Sequence, residues 1–335
     1  MSEPTELRVP ASLDGARLDK ALGLLAKVSR AKAKALLESG VRLNGRRAVK
    51  GAVVKEGDTL QILSGDDLAA AAEPGARPDP SLALDVRLET DRILVVHKPD
   101  GLPTAPLRAG ELGTLANALI AHYPDLAGVG PEPREPGLVH RLDTDTTGLV
   151  IVARTAAAFG ELKHALRDGK VDKRYLAIVA PGAGSARAAS VAADGILPDT
   201  GTIDIPLAPH PKDKRRVFAC VHPRDVARLA PRDAVTTYTV LRRWKTAEGE
   251  PRALVEARAA RALRHQIRVH FAALGAPLLG DGLYGGPSAQ DLGRHALHAS
   301  RVAYGGGKAV PAFVVEAELP KDLENCLPKV EGDPT

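Results

Sequence analysis

Cys220 and Cys326 are the only cysteines in 335 residues, and they stand far apart in the chain. With no C-x-x-C pair, a structural zinc site is not expected, and the scarcity of thiols fits a reducing compartment. Aromatic residues make up 3% of the chain, with one Trp and four Phe, so the core has to be built from Ala, Leu and Val. No apolar run approaches the ~20 residues that span a bilayer. The N-terminus MSEPTELRVP lacks the basic and apolar regions of a signal peptide. The expectation is a cytoplasmic protein with no membrane partner. No Walker sequence occurs, so no nucleotide cofactor is expected. His265 and His270 are five apart, not the i, i+4 spacing of a helical metal pair, and no metal is expected either.

What is present is positive charge, unevenly spread. The net charge is +5 and the pI about 9.2. Between Arg17 and Lys55 stand eleven basic residues: Arg17, Lys20, Lys27, Arg30, Lys32, Lys34, Arg42, Arg46, Arg47, Lys50 and Lys55. Only Asp19 and Glu38 oppose them, an excess larger than that of the whole chain. A solvated basic face is the ordinary explanation of such a run; its density here favours RNA.

The same segment has a readable local structure. RLDKALGLL (17–25) has apolar residues at helical spacing, and Ser29 reads as the cap of a second helix that Gly40 ends. VRLNG (41–45) reads as a strand entering an Asn-Gly turn, and VVKEGDTLQIL (53–63) as strand, turn, strand. Residues 1 to about 10 read as a polar lead-in. Residues 11–63 thus form one small αα-β unit. The stretch 64–82, rich in Ala, Pro, Gly and Asp, reads as a flexible linker, and a larger domain over 83–320 follows. Residues after about 320 carry Pro and acids and read as a loose tail.

In the larger domain, Ile93 to Val96 reads as a buried strand leaving the sheet at Pro99. Thr114 caps a helix that Pro124 closes, and 156–167 is helical. Strands are expected at 173–179, within 196–210, at 236–244 and at 253–260. Lys212, Lys214, Arg215 and Arg216 make a second basic cluster. HQIRVHFAALG (265–275) is a helix, LLGDGLYGG (278–286) a Gly-rich turn, and 294–299 the start of a last helix or strand.

The stretch GLVHRLDTDTTGLVIVA (137–153) organises the rest. Leu149 to Val152 reads as a buried strand, and Asp143 stands at the mouth of the Thr/Gly turn that leads into it. A lone Asp there most often only caps the turn. It also has the placement of a catalytic carboxylate, held by rigid elements yet facing a cleft.

HRLD-x-x-T-x-G before an apolar strand resembles the catalytic-Asp motif of the RluA-type pseudouridine synthases. LETDRILVVHKPDGLPT (88–104) resembles the first motif of that family, with His97 where Asn usually stands. VDKRYLAIV (171–179) resembles its K-x-Y-x-A stretch, HQIRVHFAALGAPLLGDGLYG (265–285) its third motif and HALHA (295–299) its trailing element. The order R-L-D-x-x-L, S-R-x-x-A, V-x-x-N-G in residues 17–45 resembles an S4 RNA-binding domain. The resemblance covers roughly 82–318, with the S4 unit in front.

It implies an α+β protein: an N-terminal S4 αα-β RNA-binding unit, then a pseudouridine synthase catalytic domain with a mixed, mostly antiparallel sheet. It implies isomerisation of uridine in structured RNA, most like members acting on large-subunit ribosomal RNA, by a monomer without cofactor. Asp143 would be the catalytic carboxylate, Tyr175 would stack on the uracil, and a bidentate Arg268 would pair with Asp143. Candidate RNA contacts are Arg30, Lys32, Lys34, Arg46, Arg47, His140, Arg141, Lys173, Arg264 and His265. The family's Gly-Arg-Thr run before His-Gln is replaced here by Ala262-Leu263-Arg264, which questions the local turn and its RNA contacts; Arg261 or Arg264 stands ready to compensate. An alternative of another class is a catalytically weakened RNA-binding or ribosome-assembly factor, and a third reading is a synthase acting on tRNA or mRNA.

Overall fold

Leu18, Ala21 and Leu22 share one face of helix α1 (Leu18–Leu25), and that face is fully buried. The computed structural model describes residues 5–28, 30–49, 51–62, 75–182, 197–260, 262–290 and 292–328. Helix α1 packs with α2 (Arg30–Gly40) on a four-stranded sheet of β1 (Thr5–Arg8), β2 (Val41–Leu43), β3 (Arg46–Arg47) and β4 (Thr59–Ile62), ordered β1-β4-β2-β3. Asn44 and Gly45 turn the β2–β3 hairpin with φ of 51° and 77°, the left-handed conformation that an Asn-Gly pair supplies.

Three sequence readings change here. The polar lead-in is strand β1, antiparallel to β4, with Leu7 packed on the core. Its alternating half-buried pattern marks an edge strand, too short to show as apolar periodicity. The first half of 53–63 makes only an isolated bridge from Val53 to Arg17, so the hairpin expected there is a single strand, β4. In the linker, 75–82 is held in place: Asn117 Nδ2 donates to the Arg77 carbonyl at 2.7 Å, and the Gly113 amide donates to Asp79 at 3.2 Å. Residues 63–74, Ser29 and Lys50 lie outside the described residues.

By contacts the chain divides into two compact units, Met1–Ala83 with Ala105–Leu138, and Leu84–Thr104 with Val139–Thr335. The first also holds α3 (Leu115–His122), which opens on a full capping box between Thr114 and Asn117.

The second unit is built on a nine-stranded sheet. Its strands are β5 (Asp85–Glu89), β6 (Ile93–Lys98), β7 (Thr147–Ala153), β8 (Val171–Val179), β9 (Thr200–Asp204), β12 (Val235–Lys245), β13 (Pro251–Arg258), β14 (Leu297–Tyr304) and β15 (Phe313–Glu316). The order is β5-β6-β7-β14-β8-β13-β12-β9, with β15 added to β14. Every pairing is antiparallel except β7 with β14, so the expected mixed, mostly antiparallel sheet is present. A two-stranded ribbon, β10 (Leu207–Pro209) and β11 (Val217–Ala219), stands apart from it.

Strand β7 is buried at all seven positions, as a central strand covered on both faces must be. It meets β14 at Gly148, whose φ is 116° and where a Cβ would lie 2.3 Å from the Ala299 carbonyl oxygen. Only glycine fits this junction. Around the sheet lie α4 (Ala156–Arg167), α5 (Pro223–Leu229), α6 (Gln266–Ala273) and α7 (Lys321–Glu324).

The tail expected after 320 is instead ordered as far as 328. Leu323 of α7 is fully buried with Leu279 and Leu292, and Asp322 takes a two-bond contact from Arg294 at 2.7 and 3.0 Å. Leu323, Cys326 and Leu327 among polar residues were too little signal, but they are enough to anchor a short helix. Residues 329–335 lie outside the described residues.

Candidate active site

Residues 142–147 leave the apolar core and turn into the start of β7, and each of the six shares a hydrogen bond with a side chain distant in sequence. Thr104 Oγ1 donates to the Leu142 carbonyl at 2.7 Å and accepts its amide at 3.2 Å. Arg268 Nη1 donates to Asp143 Oδ2 at 3.0 Å. Lys98 Nζ donates to the Thr144 carbonyl at 2.7 Å, and Arg294 Nη1 to that of Asp145 at 3.2 Å. The hydroxyls of Thr146 and Thr147 meet His295 Nε2 at 2.7 Å and His298 Nδ1 at 2.8 Å. The loop is thereby fixed in one conformation without a regular hydrogen-bond ladder.

Lys98 was not among the residues singled out from the sequence. It is fully buried, and its ammonium also donates to the carbonyls of Pro99 and Leu102, at 2.7 and 2.8 Å. Burial lowers its pKa to about 8, opposed by Asp145, Asp100 and Asp143. The signal was a lysine ending a buried strand, where a solvated side chain is out of place.

Asp143 opens into a small cleft lined by Arg141, Thr146, Tyr175, His265 and Arg268 among others. Arg268 does reach Asp143, but its two-bond contact is with Asp281: Nε to Oδ2 at 2.7 Å and Nη2 to Oδ1 at 2.8 Å. This corrects the expected bidentate pair with Asp143, which receives the one remaining nitrogen. Burial works against the Arg268 cation, yet Asp281 and then Asp143 raise its pKa well above the ordinary arginine value. Asp281 comes from the turn 278–286, where a Cβ at Gly286 would lie 1.9 Å from the Leu278 carbonyl oxygen. The glycines let that turn pass close enough to deliver a buried carboxylate.

Tyr175 is buried, and burial first, then Asp143, raises its pKa, so the phenol stays protonated at neutral pH. This favours its ring as a surface for a base over its oxygen as a proton acceptor. His265, a candidate RNA contact, lies beside Asp143, with Nε2 at 3.7 Å from Asp143 Oδ2.

The other candidates divide. Lys34, Arg46, Arg47 and Arg141 are exposed, and Lys32 is half-buried; the Arg30 side chain lies outside the described residues. Lys173 is buried beside Tyr175 on the same side of β8, and burial lowers its pKa to about 8. The period-two pattern of the strand turns it inward, which corrects its assignment as a solvent-facing RNA contact. His140 accepts the Ile151 amide on Nε2 at 3.0 Å, and burial lowers its pKa to about 3, so it braces the loop instead of meeting phosphate.

Arg264 is exposed, and its guanidinium donates to the carbonyls of Lys214 and Arg215. The Ala262-Leu263-Arg264 departure does not open the turn, because the Leu263 amide donates to Gln266 Oε1 at 2.9 Å and the Gln266 amide to the Leu263 carbonyl at 3.1 Å. Arg261 lies outside the described residues. His270 faces Thr236 and the Ile205 carbonyl and has no part in the cleft.

The cleft thus brings together a braced carboxylate, the arginine paired with it and a protonated tyrosine. Residues 92–273 match the family model described as RNA pseudouridylate synthase, and the chain belongs to that family of isomerases.

Among its relatives, the ribosomal large subunit pseudouridine synthase D of Xanthomonas campestris is 32% identical over 97% of this chain and 92% of its own length. The protein of the same name from Pseudomonas aeruginosa is 34% identical over 94% and 92%. A solved structure, human RNA pseudouridylate synthase domain containing 1, shares the fold with a TM-score of 0.55 and 23% identity, over 75% of this chain and 90% of that one.

Proposed function

We propose that this chain converts uridine to pseudouridine in large-subunit ribosomal RNA, with Asp143 as the reacting carboxylate. The observation that carries the reading is the bracing of residues 142–147, which holds Asp143 against Arg268 and in reach of a base lying on Tyr175. The relatives named for the large ribosomal subunit align over nearly the whole chain, which supports that substrate over tRNA or mRNA. The turn kept at 262–264 speaks against reading the protein as a weakened assembly factor.

In the reaction the N1–C1′ bond of uridine breaks, the base rotates, and C5 joins C1′. The C5 proton leaves and N1 gains one, so atoms and charge balance without a redox step. Asp143 either attacks C1′ or takes the C2′ proton. The target base has to leave its stack to reach the cleft. Arg141 at the rim and the exposed Lys34, Arg46 and Arg47 are proposed RNA contacts. Residues 11–63 are proposed as an S4-like RNA-binding unit and 83–320 as the catalytic domain, acting as a monomer in the cytoplasm.

The test is pseudouridine mapping on a large-subunit rRNA transcript incubated with the purified protein, beside tRNA and mRNA. Asp143→Asn should give no product and bind RNA as the wild type does. Turnover by Asp143→Asn removes the assignment. Replacing Lys34, Arg46 and Arg47 together by Gln should lower the log–log salt slope of binding by about 2.

A further inference from the structure

The two oxygens of Asp143 are not equivalent. Oδ2 takes Nη1 of Arg268 at 3.0 Å and faces Nε2 of His265 at 3.7 Å. Oδ1 has no donor among the described residues.

His265 reaches this position because its backbone is left-handed, with φ of 55°, at the entrance to α6. Its Nδ1 lies 2.9 Å from the Tyr284 hydroxyl, which accepts the Val217 amide at 2.8 Å. A phenol has one hydrogen. Val217 takes up an acceptor site of that oxygen, and Nδ1 is the acceptor toward which its hydrogen can point. That bond leaves the proton of a neutral imidazole on Nε2, the nitrogen facing Asp143.

Tyr284 is itself held. The guanidinium carbons of Arg268 and Arg216 lie 5.3 and 5.6 Å from its ring centre, and the His265 ring meets it edge-on at 86°.

We propose that His265 is a positioning residue for Asp143. Tyr284 fixes its tautomer, and its Nε2–H acts with Arg268 on Oδ2, so that Oδ1 is the oxygen left free to react with the ribose. This rests on the reading of Asp143 as the reacting carboxylate. The charged and titratable groups that face His265 are Asp143, Asp281, Arg264, Arg268, Tyr284 and His295. Burial, opposed by Asp143 and aided by Arg268 and Arg264, keeps the ring below its ordinary pKa and therefore neutral.

Two measurements on the full chain test this. Nitrogen chemical shifts of ¹⁵N-histidine-labelled protein report the tautomer, with His265 assigned by its loss in His265→Asn, a residue that accepts the left-handed backbone. The wild type should show Nε2 protonated and Nδ1 bare; the reverse overturns the proposal.

In the second, Tyr284→Phe keeps the ring beside the two guanidiniums and removes only the hydroxyl. Single-turnover rate should fall roughly ten- to hundredfold with RNA affinity unchanged. Its acid limb should move to higher pH, because the neutral ring has lost the donor to Nδ1 that favoured it. In His265→Asn the rate should fall comparably, with no such move of the limb. A slow Tyr284→Phe with an unmoved limb, or a wild-type rate, overturns the proposal. If Tyr284→Phe does not fold, the wild-type tautomer still decides. Failure of the underlying reading is seen separately, as turnover by Asp143→Asn.

Discussion

Arg268 gives two nitrogens to Asp281 and one to Asp143. The buried carboxylate sets the plane of the guanidinium, and that plane aims the third nitrogen at the cleft. Arg268→Met should cost about 3–5 kcal/mol, because Asp281 is left as an uncompensated buried charge. Arg268→Lys should keep more of the stability and little of the activity, since an ammonium cannot serve both carboxylates in one plane. Asp281→Asn should slow single turnover without touching substrate. Urea melts and single-turnover rates on the three variants check this; wild-type rates for Asp281→Asn would show that Asp143 holds Arg268 unaided.

Lys98 carries no solvent-facing charge that RNA could use. Lys98→Met keeps its length and leaves three carbonyls, those of Pro99, Leu102 and Thr144, without their donor. A loss of about 1–3 kcal/mol is expected. Faster amide exchange at 99–104 and 143–147 should accompany it, with activity falling further than stability. Unchanged exchange in those two segments would argue against a brace.

Gly148→Ala puts a methyl group where the Ala299 carbonyl stands, at a φ that side chains avoid. Either β7 or β14 has to shift, and both carry residues that hold the loop. A loss on the order of 4 kcal/mol or more is expected, together with loss of activity. A thermal melt within two degrees or so of wild type would show that the junction yields.

Acid should destabilise the protein through four histidines. Burial lowers His270 and His298 to about 4, His140 to about 3 and His295 to about 2, whereas the unfolded chain holds them near 6.5. Above 6.5 both states are neutral and the stability is fully present. As pH falls below that value, the unfolded state takes up protons that the folded state refuses. Each histidine then removes about 1.4 kcal/mol per pH unit. The decline eases near pH 4, where His270 and His298 begin to protonate in the fold. Urea midpoints should be flat from about pH 8 to 7 and fall steeply from about 6 to 4.5. A flat midpoint down to about pH 5 would mean that these rings are charged inside the protein.

The sequence by itself determined the elements whose signals are local. A helical stripe at 18–25, the Asn-Gly turn, the Thr114 cap, the apolar run of β7 and the small residues before it each express a steric or hydrogen-bonding preference of neighbouring residues. It also singled out Asp143 as a candidate, through the family resemblance of the motif around it and not through its position alone, where an Asp most often only caps the turn.

The tertiary structure alone decided the partners. Lys98, Asp281, His295, His298 and Arg294 come from three separate stretches, and no spacing along the chain says which carbonyl or hydroxyl each will meet. It decided that the fork of Arg268 belongs to Asp281, that Lys173 points inward, and that Leu323 anchors what composition presents as a tail. Burial sets the reason: a polar group removed from water must find its partner wherever the packed core leaves one. That place is fixed only when the apolar strands have closed.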